Sequence, residues 1–485
     1  MASDERGSES GRPMLGPILY ARGATREGNA VAALLVRPAG EPPPQLTAAG
    51  APVEPRRLAD VFGATLWRYD FAFAPGETGR YTVGADAFDV LPPDREALRI
   101  AYVSCNGKEH GDLERDPAER DAMWTRLREE HEGDPFALML QGGDQLYADD
   151  VLSCHPDVEA WAKLPPDRQG TVALRPEADE ALHRFYFDHY LAVFSRTPYA
   201  FLAARVPSVM MWDDHDIVDG WGSHPPGMLD SPIGQAMFRA SREMFLLFQL
   251  AATEADLPAI CLDRGAHSLG VALSYPGLSV VAPDLRSERR PDRVMAGPGW
   301  AGFEQAVADV SPEARLIVMS SVPALGPRLS WAEAALSLRP GSGGLKDDLR
   351  DQWQSRAHRK EWRRFLKVLA DRAAVSAKGL TVVSGEIHLA TRGEMRPAKG
   401  PTIHQLVASG IAHPPQTPGY PLMLSVLARF GDCPLAGASI DLLPLPGAKG
   451  TYTNERNYLV LSRTAGRWTA EWELEETGRS PALAI

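Results

Sequence analysis

From residue 97 onward, apolar runs of strand length alternate with helical patterns, and that grammar restricts the chain to a layered α/β domain. The runs are RIAYVS (99–104), FALMLQ (136–141), SVMMW (208–212), LSVVAP (278–283), RLIVMS (315–320) and LTVVS (380–384). Helical patterns cover 118–131, 180–195, 234–250 and 347–374. The residues after each run are more telling than the run itself. YVS leads to Cys105-Asn106, LMLQ to GGDQLYADD, VMMW to DDHD, VVAP to DLRSERR, IVMS to SVP, and TVVS to GEIH. In open α/β sheets the binding crevice lies beyond the carboxyl ends of the strands. Five of these six ends therefore deliver groups able to bind a metal or an anion to one edge.

The segments on either side read differently. Residues 16–92 form β-type runs (ILYARG, AVAALLVRPAG, ATLWRYDFAFAPG, RYTVGADAFDV) separated by Gly/Pro turns, which suggests a small sandwich. LPPD at 91–94 reads as a linker. The expected organisation is a polar, disordered tail (1–15), a β-sandwich (16–94) and the α/β domain (95–485). Inside the latter, 161–170 and 412–450 read as long excursions and RPGSGG (339–344) as a loop. NYLVLSR and RWTAEWELEE read as a closing hairpin.

Composition excludes several classes. The chain has 485 residues, 44% hydrophobic and 24% charged, as in ordinary globular proteins. Its net charge of -12 repels a phosphate backbone, so broad nucleic-acid binding is not expected. A small anionic substrate remains compatible, because bound cations invert local charge. Cys105, Cys154, Cys261 and Cys433 form no CxxC pair, which argues against a disulfide framework or zinc knuckle. MASDERGSESGRPMLGP lacks an apolar core and a twin arginine, and YPLMLSVLARF is too short to span a bilayer. No transmembrane segment is expected, and a cytoplasmic location is the default.

Asp213, Asp214, His215 and Asp216 directly after a core strand call for a positive partner, because unpaired carboxylates are rarely buried. Asp214 is expected to ligate a metal and His215 to touch substrate, with Asp213 or Asp216 orienting the imidazole. Asp144 follows two glycines that let the backbone turn sharply, and Tyr147 reaches the same ion if the segment curls. The plain alternative is that Asp144 caps a turn and Tyr147 packs. Asp149 and Asp150 read as loop solvation or orientation. Cys105 is by default a small core hydrophobe, but its strand-end position favours a soft ligand for iron or zinc. Glu386 and His388, two apart, point the same way if the chain is extended there, as a shared binuclear site requires. Arg286 offers a planar fork to a phosphate oxygen, or else makes a surface ion pair. His183 and His189 read as packing; His224 and His413 are undecided. Two cations bridged by one carboxylate would clamp an in-line displacement at phosphorus, with His215 protonating the leaving alkoxide.

Taken together, the Ser-Cys pair, GDQLYADD, MWDDHDIVDGWGSH, LRSERR, DLRDQW and SGEIHLA resemble the PhoD-like alkaline phosphatases, a branch of the calcineurin-like metallophosphoesterases. The resemblance runs from about residue 97 to 475. It implies an α/β fold built as a metallophosphoesterase-type β-sandwich flanked by helices, preceded by a small immunoglobulin-like all-β domain. It also implies phosphomonoesterase or phosphodiesterase activity on a small phosphate ester. By position it implies ferric iron (Fe3+) on Cys105, Asp144 and Tyr147, with calcium or another divalent ion (Zn, Mn or Mg) alongside. Asp214 stands where the superfamily has an Asn ligand, and Glu386 and His388 occupy the closing histidine-rich motif. Cys105-Asn106-Gly107 replaces the superfamily's Asp-x-His pair, which makes Asn106 a ligand candidate. Glu386 replaces the Asp of many relatives. A phospholipase-D-like diesterase and a catalytically silent metal-binding scaffold are the alternatives.

Overall fold

The computed structural model describes residues 14–327, 352–417, 419–428 and 432–485. The tail before residue 14, the loop at 339–344 and the start of the helical pattern at 347 lie outside the described residues. All six apolar runs are strands: Leu98–Val103, Leu138–Gly142, Ser208–Met211, Leu278–Ala282, Arg315–Ser320 and Leu380–Ser384. The first three pair in parallel in one large sheet, and the last three in a second. A further parallel strand, Ile403–Val407, lies beside Leu380–Ser384; polar His404 and Gln405 interrupt its apolar pattern in the sequence.

The period-two alternation of side chains decides the layers. On the strand Arg315–Ser320, Ile317 and Met319 enter a core shared with Ile100, Leu138 and Val209 of the first sheet. Leu316 and Val318, on the other face, pack with Trp300, Phe303 and Phe365 from the helices Gly297–Asp309 and Arg359–Val375. One sheet thus meets the other on one side and helices on its opposite side. The four helical patterns appear as Pro117–Arg120 with Ala122–Gly133, Pro176–Phe194, Pro232–Gln249 and Arg359–Val375. Residues 352–358 are turns and not the helix that the sequence pattern suggests.

The N-terminal β-runs are also strands. Leu15–Thr25, Gly28–Pro38, Ala64–Phe73 and Pro55–Val61 continue the first sheet, through a parallel pairing of Tyr20 with Ser208. A separate four-stranded sheet (Leu46–Ala48, Ala51–Val53, Gly79–Val83, Asp86–Val90) covers them, with Leu19, Val31, Leu35, Tyr81 and Phe88 between. Tyr81 Oη donates to the Ala204 carbonyl (2.6 Å) and Arg68 Nη1 to that of Ala251 (3.1 Å), tying this region to the helical layer. The closing hairpin, Asn457–Thr464 with Arg467–Leu474, pairs antiparallel onto Leu98–Val103. The two excursions carry structure of their own: short helices Pro156–Ala162 and Pro166–Gln169, and later helix Gly419–Ala428 with strands Asp432–Leu435 and Ala438–Leu443. Among the described residues, no helix is long and apolar enough to cross a membrane.

Candidate active site

The parallel strands of both sheets end at one crevice, and their ends are conformationally unusual. Cys105 (φ 55°), Asp144 (φ 55°), Glu386 (φ 65°) and His388 (φ 54°) all lie in the left-handed region. Each such residue costs about 1–3 kcal/mol and persists only where its surroundings over-determine it. Here they do. The amides of Cys105 and Asn106 donate to the carbonyls of Gly143 (3.2 Å) and Asp144 (2.8 Å). The Cys105 carbonyl accepts from Ala412 (3.3 Å) and His413 (3.2 Å). Two glycines permit the close approach of the sheets. A Cβ on Gly143 would meet Asp213 Cβ at 2.8 Å and, across from the other sheet, Ser321 Cβ at 3.2 Å, and one on Gly385 would meet Ser104 Oγ at 2.3 Å.

Asp216 is the clamp on the acidic side. Its carboxylate accepts the amides of Asp144 (2.9 Å), Asp213 (2.9 Å) and Leu146 (3.1 Å), together with Gln249 Nε2 (2.8 Å). Burial pushes its pKa up to about 7 despite these donors. Asp216 therefore fixes the Asp144 turn and does not orient His215. Asp213 does not orient it either, because its carboxylate meets Arg286 Nε and Ser321 Oγ. The residue that holds the imidazole is Asp149, whose Oδ2 lies 2.9 Å from His215 Nδ1 and whose Oδ1 accepts the Asp219 amide at 2.7 Å. The His215 ring also stacks on Tyr147, centroids 4.3 Å apart. Burial works against the imidazolium, but Asp149, Asp214 and Asp144 outweigh it and hold the His215 pKa well above its ordinary value.

Two overlapping groups of ligand atoms fall within 4.8 Å of one another: Cys105, Asp144 and His388, and Asp144, Asp213 and Asp214. Asp144 belongs to both, as a bridging carboxylate should. Cys105 Sγ lies 3.4 Å from Asp144 Oδ2 and 3.1 Å from Ser409 Oγ. Tyr147 Oη lies 2.7 Å from His388 Nε2. A third group joins Asp214 and His215 to Asp219, whose carboxyl burial raises to about 6. Burial and then Asp213 raise Asp144 well above the carboxylate range; burial and then Asp144 do the same to the Cys105 thiol. Burial first, then the neighbouring His413 and His215 imidazoles, pushes the His388 pKa well below its ordinary value, which favours the neutral form that ligates a metal. Asp144 Oδ1 is buried without a hydrogen bond, and Asp214 Oδ1 faces the Arg286 guanidinium at 3.3 Å without a well-formed one. Crowded, buried and partly unsatisfied carboxylates are costly, and a cation is what relieves them. The donor set fits a metal centre.

Three further sequence expectations fail on geometry. Asn106 accepts from Trp124 Nε1 (2.6 Å) and donates to the Gln145 carbonyl (3.3 Å), so its amide braces the turn instead of joining the ligands. Glu386 is not extended beside His388. Both residues are left-handed, and the Glu386 carboxylate accepts from Gln352 Nε2 at 2.7 Å; among the described residues it enters none of the ligand groups. Arg286 is 0% exposed, so it is neither a phosphate fork nor a surface pair. Its guanidinium binds Asp213, faces Asp214 Oδ1 at 3.3 Å and donates to the Trp221 carbonyl at 3.2 Å. Arg286 is a positioning cation under the acidic cluster.

Other residues enter that sequence reasoning passes over or leaves undecided. Ser409 and His413 come after the strand Ile403–Val407, and Gln416 Nε2 lies 2.6 Å from His388 Nδ1. Glu109 pairs with His413 at 3.2 Å. Asp149 is visible in GGDQLYADD, but nothing in the sequence links it to an imidazole sixty-six positions away. His189 packs as expected, stacked on Phe185, whereas His183 bonds the Asp179 carbonyl and His224 that of Asp219.

Residues 114–339 match the family described as "PhoD related phosphatase". That stretch contains Asp144, Tyr147, the 213–216 cluster and Arg286. A Saccharomyces cerevisiae protein named "Uncharacterized protein YGR266W" is 25% identical over 366 residues, covering 63% of this chain and 52% of its own length. The chain thus spans about half the length of that curated relative. The solved "Structure of PhoD" superposes with a TM-score of 0.61 at 12% identity, over 99% of this chain and 90% of that one. This likeness shows a shared mixed α/β fold.

Proposed function

We propose that the chain is a PhoD-like enzyme that hydrolyses small phosphate esters at a metal centre between the two sets of strand ends, a reading supported by the family match over residues 114–339 and the shared fold. The observation that carries this is the convergence of Cys105, Asp144, His388, Asp213 and Asp214 on one spot, with Asp144 Oδ1 buried and lacking a hydrogen bond. Cys105, Asp144 and Tyr147, with His388 beside them, would hold ferric iron, and Asp144 and Asp214 an accompanying calcium or other divalent ion. Bound there, the cations would lower the pKa of an attacking water and neutralise charge on the phosphoryl oxygens. Thiolate and phenolate ligation requires both groups to lose protons, which burial alone opposes and a trivalent cation favours.

The protein's own residues would supply the rest. His215 keeps its Nδ1 proton on Asp149, leaving Nε2 as the nitrogen that can donate to the departing alkoxide. Arg286, locked on Asp213, offsets part of the negative charge beneath the ligands. Asp216 keeps the Asp144 and Asp213 backbones in register. We also read residues 16–94 as an immunoglobulin-like unit and 95–485 as the catalytic one.

The test is turnover of p-nitrophenyl phosphate and bis-p-nitrophenyl phosphate side by side, before chelation, after it, and after iron and calcium are restored. Activity on either that chelation removes and metal restores is expected. Turnover of the diester alone would favour the phospholipase-D-like alternative. A metal-loaded protein inert on both would be a silent scaffold and would overturn the reading.

A further inference from the structure

A buried group of charges lies behind the Cys105 turn. The side chains of Asp112, Arg115 and Arg196 are 4%, 7% and 4% exposed. Asp112 Oδ2 accepts from Arg196 Nη2 at 2.6 Å, and its Oδ1 from Arg115 Nη1 at 2.9 Å. The same Arg115 nitrogen donates its second proton to the Ala412 carbonyl, also at 2.9 Å. Arg115 Nε and Nη2 fork onto Glu119 at 3.1 and 2.9 Å, which fixes the plane of the guanidinium. Asp112 and Arg115 follow the first-sheet strand Leu98–Val103, whereas Ala412 follows the second-sheet strand Ile403–Val407. The Ile411 amide already bonds the Ser104 carbonyl (3.0 Å), and Arg115 carries that junction one residue further. The next two amides, those of Ala412 and His413, are the ones that donate to the Cys105 carbonyl. Asp112 also lies close to Tyr147, with Gly107 between them. A Cβ on Gly107 would meet the Tyr147 ring at 2.9 Å and the Asp112 carboxyl at 3.3 Å.

A buried ion group is a weak source of stability, because desolvating its charges offsets most of their attraction. What it does supply is a fixed geometry. The left-handed Cys105 (φ 55°) needs one, since such a conformation persists only where the surroundings hold it. We propose that Asp112 and Arg115 are positioning residues, a clasp that draws the Ala412–His413 loop onto the Cys105 turn and so sets the iron side of the metal centre. They touch neither substrate nor metal. Arginine is required because one planar group serves a carboxylate, a carbonyl and Glu119 at once, whereas a lysine ammonium is a point charge on a flexible stem. The inference rests on the metal-centre reading for the ion that the turn presents its thiol to; the clasp itself is a property of the metal-free chain.

The experiment compares Arg115→Lys with the unsubstituted full chain. Lysine keeps a positive charge beside Asp112, so this variant folds where Arg115→Met could fail. In the metal-free proteins, amide hydrogen exchange at Ala412 and His413 should quicken by about tenfold, the scale of one lost hydrogen bond. The Asp144 and Leu146 amides, held by Asp216, should exchange as before. After loading with iron and calcium, elemental analysis should show iron retained about 10–100-fold more weakly, as when a ligand loses its outer support, with calcium unaffected. Unchanged exchange at Ala412 and His413 overturns the proposal. So does an equal loss of iron and calcium, which would mean general loosening and not a clasp on one side. If exchange responds as expected but the unsubstituted chain itself takes up no iron, the metal reading falls and the clasp on the Cys105 turn stands.

Discussion

The two walls of the crevice are built on opposite plans. On the first-sheet wall, Asp144, Asp213, Asp214 and Asp216 are all buried, and the Asp216 clamp alone collects four donors. On the second-sheet wall, Glu386 and His388 are only half-buried, and each takes a hydrogen bond from a glutamine, Gln352 and Gln416 respectively. The difference comes from charge. A buried carboxylate must be surrounded by donors and cations or it unfolds its site, while a neutral imidazole tolerates lighter support. The acidic wall is therefore the more heavily braced half, and the histidine wall the more lightly held one.

Substitutions should expose that asymmetry. The largest effect is expected at Asp144, which both ligand groups share: Asp144→Asn should strip metal and reduce turnover by more than the ~10²–10⁴-fold typical of a lost general acid. Elemental analysis beside a rate measurement checks it, and full activity with full metal would mean the centre lies elsewhere. His215→Ala should cost about 10²–10⁴-fold for alkyl phosphates, and less for nitrophenyl esters whose leaving group needs no proton. Metal content should not change. Asp149→Asn should move in the same direction by a smaller factor, whereas an Asp149→Asn enzyme with undiminished rates would detach the imidazole from its support. On the opposite wall, Gln416→Ala should weaken metal retention by only about 10–100-fold, as loss of a ligand's outer hydrogen bond does. A Gln416→Ala loss equal to that of Asp144→Asn would erase the contrast between the walls.

Arg286 extends the contrast to stability. Removing one partner of a buried ion pair costs about 3–5 kcal/mol, so Arg286→Met should lower the melting temperature strongly and leave KM little changed in the protein that folds. A raised KM with an unchanged melting temperature would return Arg286 to phosphate binding. The smallest effect lies outside the crevice. Burial first, then Arg196, depresses the His189 pKa from 6.5 to about 4, while the unfolded chain keeps the ordinary value. Between those pH values the unfolded state holds more protons, so the native state loses stability as pH falls from 6.5 toward 4. The loss from this residue is about 3 kcal/mol at most. His189→Gln should flatten that part of the melting-temperature profile, and an unchanged slope would mean the acid sensitivity arises elsewhere.

Most of the frame is legible in the sequence because it rests on local periodicity. Every apolar run is a strand, and the residues after those runs do meet at one crevice. The features that escape depend on conformation or on distance along the chain. Extended alternation puts Glu386 and His388 on one side, whereas in the fold both turn left-handed and take different partners, Gln352 and Tyr147. Ser409 stays hidden and His413 undecided because His404 and Gln405 disguise the strand before them. Arg286 looks like a surface or substrate group because composition around it is charged, while its environment is closed by Trp221 and the acidic cluster. The N-terminal strands are separable by pattern, but not their hydrogen-bonded continuation of the first sheet.

The proposed metal centre is tested most directly by anomalous X-ray diffraction from crystals of the metal-loaded, active protein, recorded at the iron edge and away from it. The expected result is an iron peak bounded by Cys105, Asp144 and Tyr147, with a second metal on the Asp214 side of Asp144. An active enzyme with no metal peak in the space between these residues would contradict it.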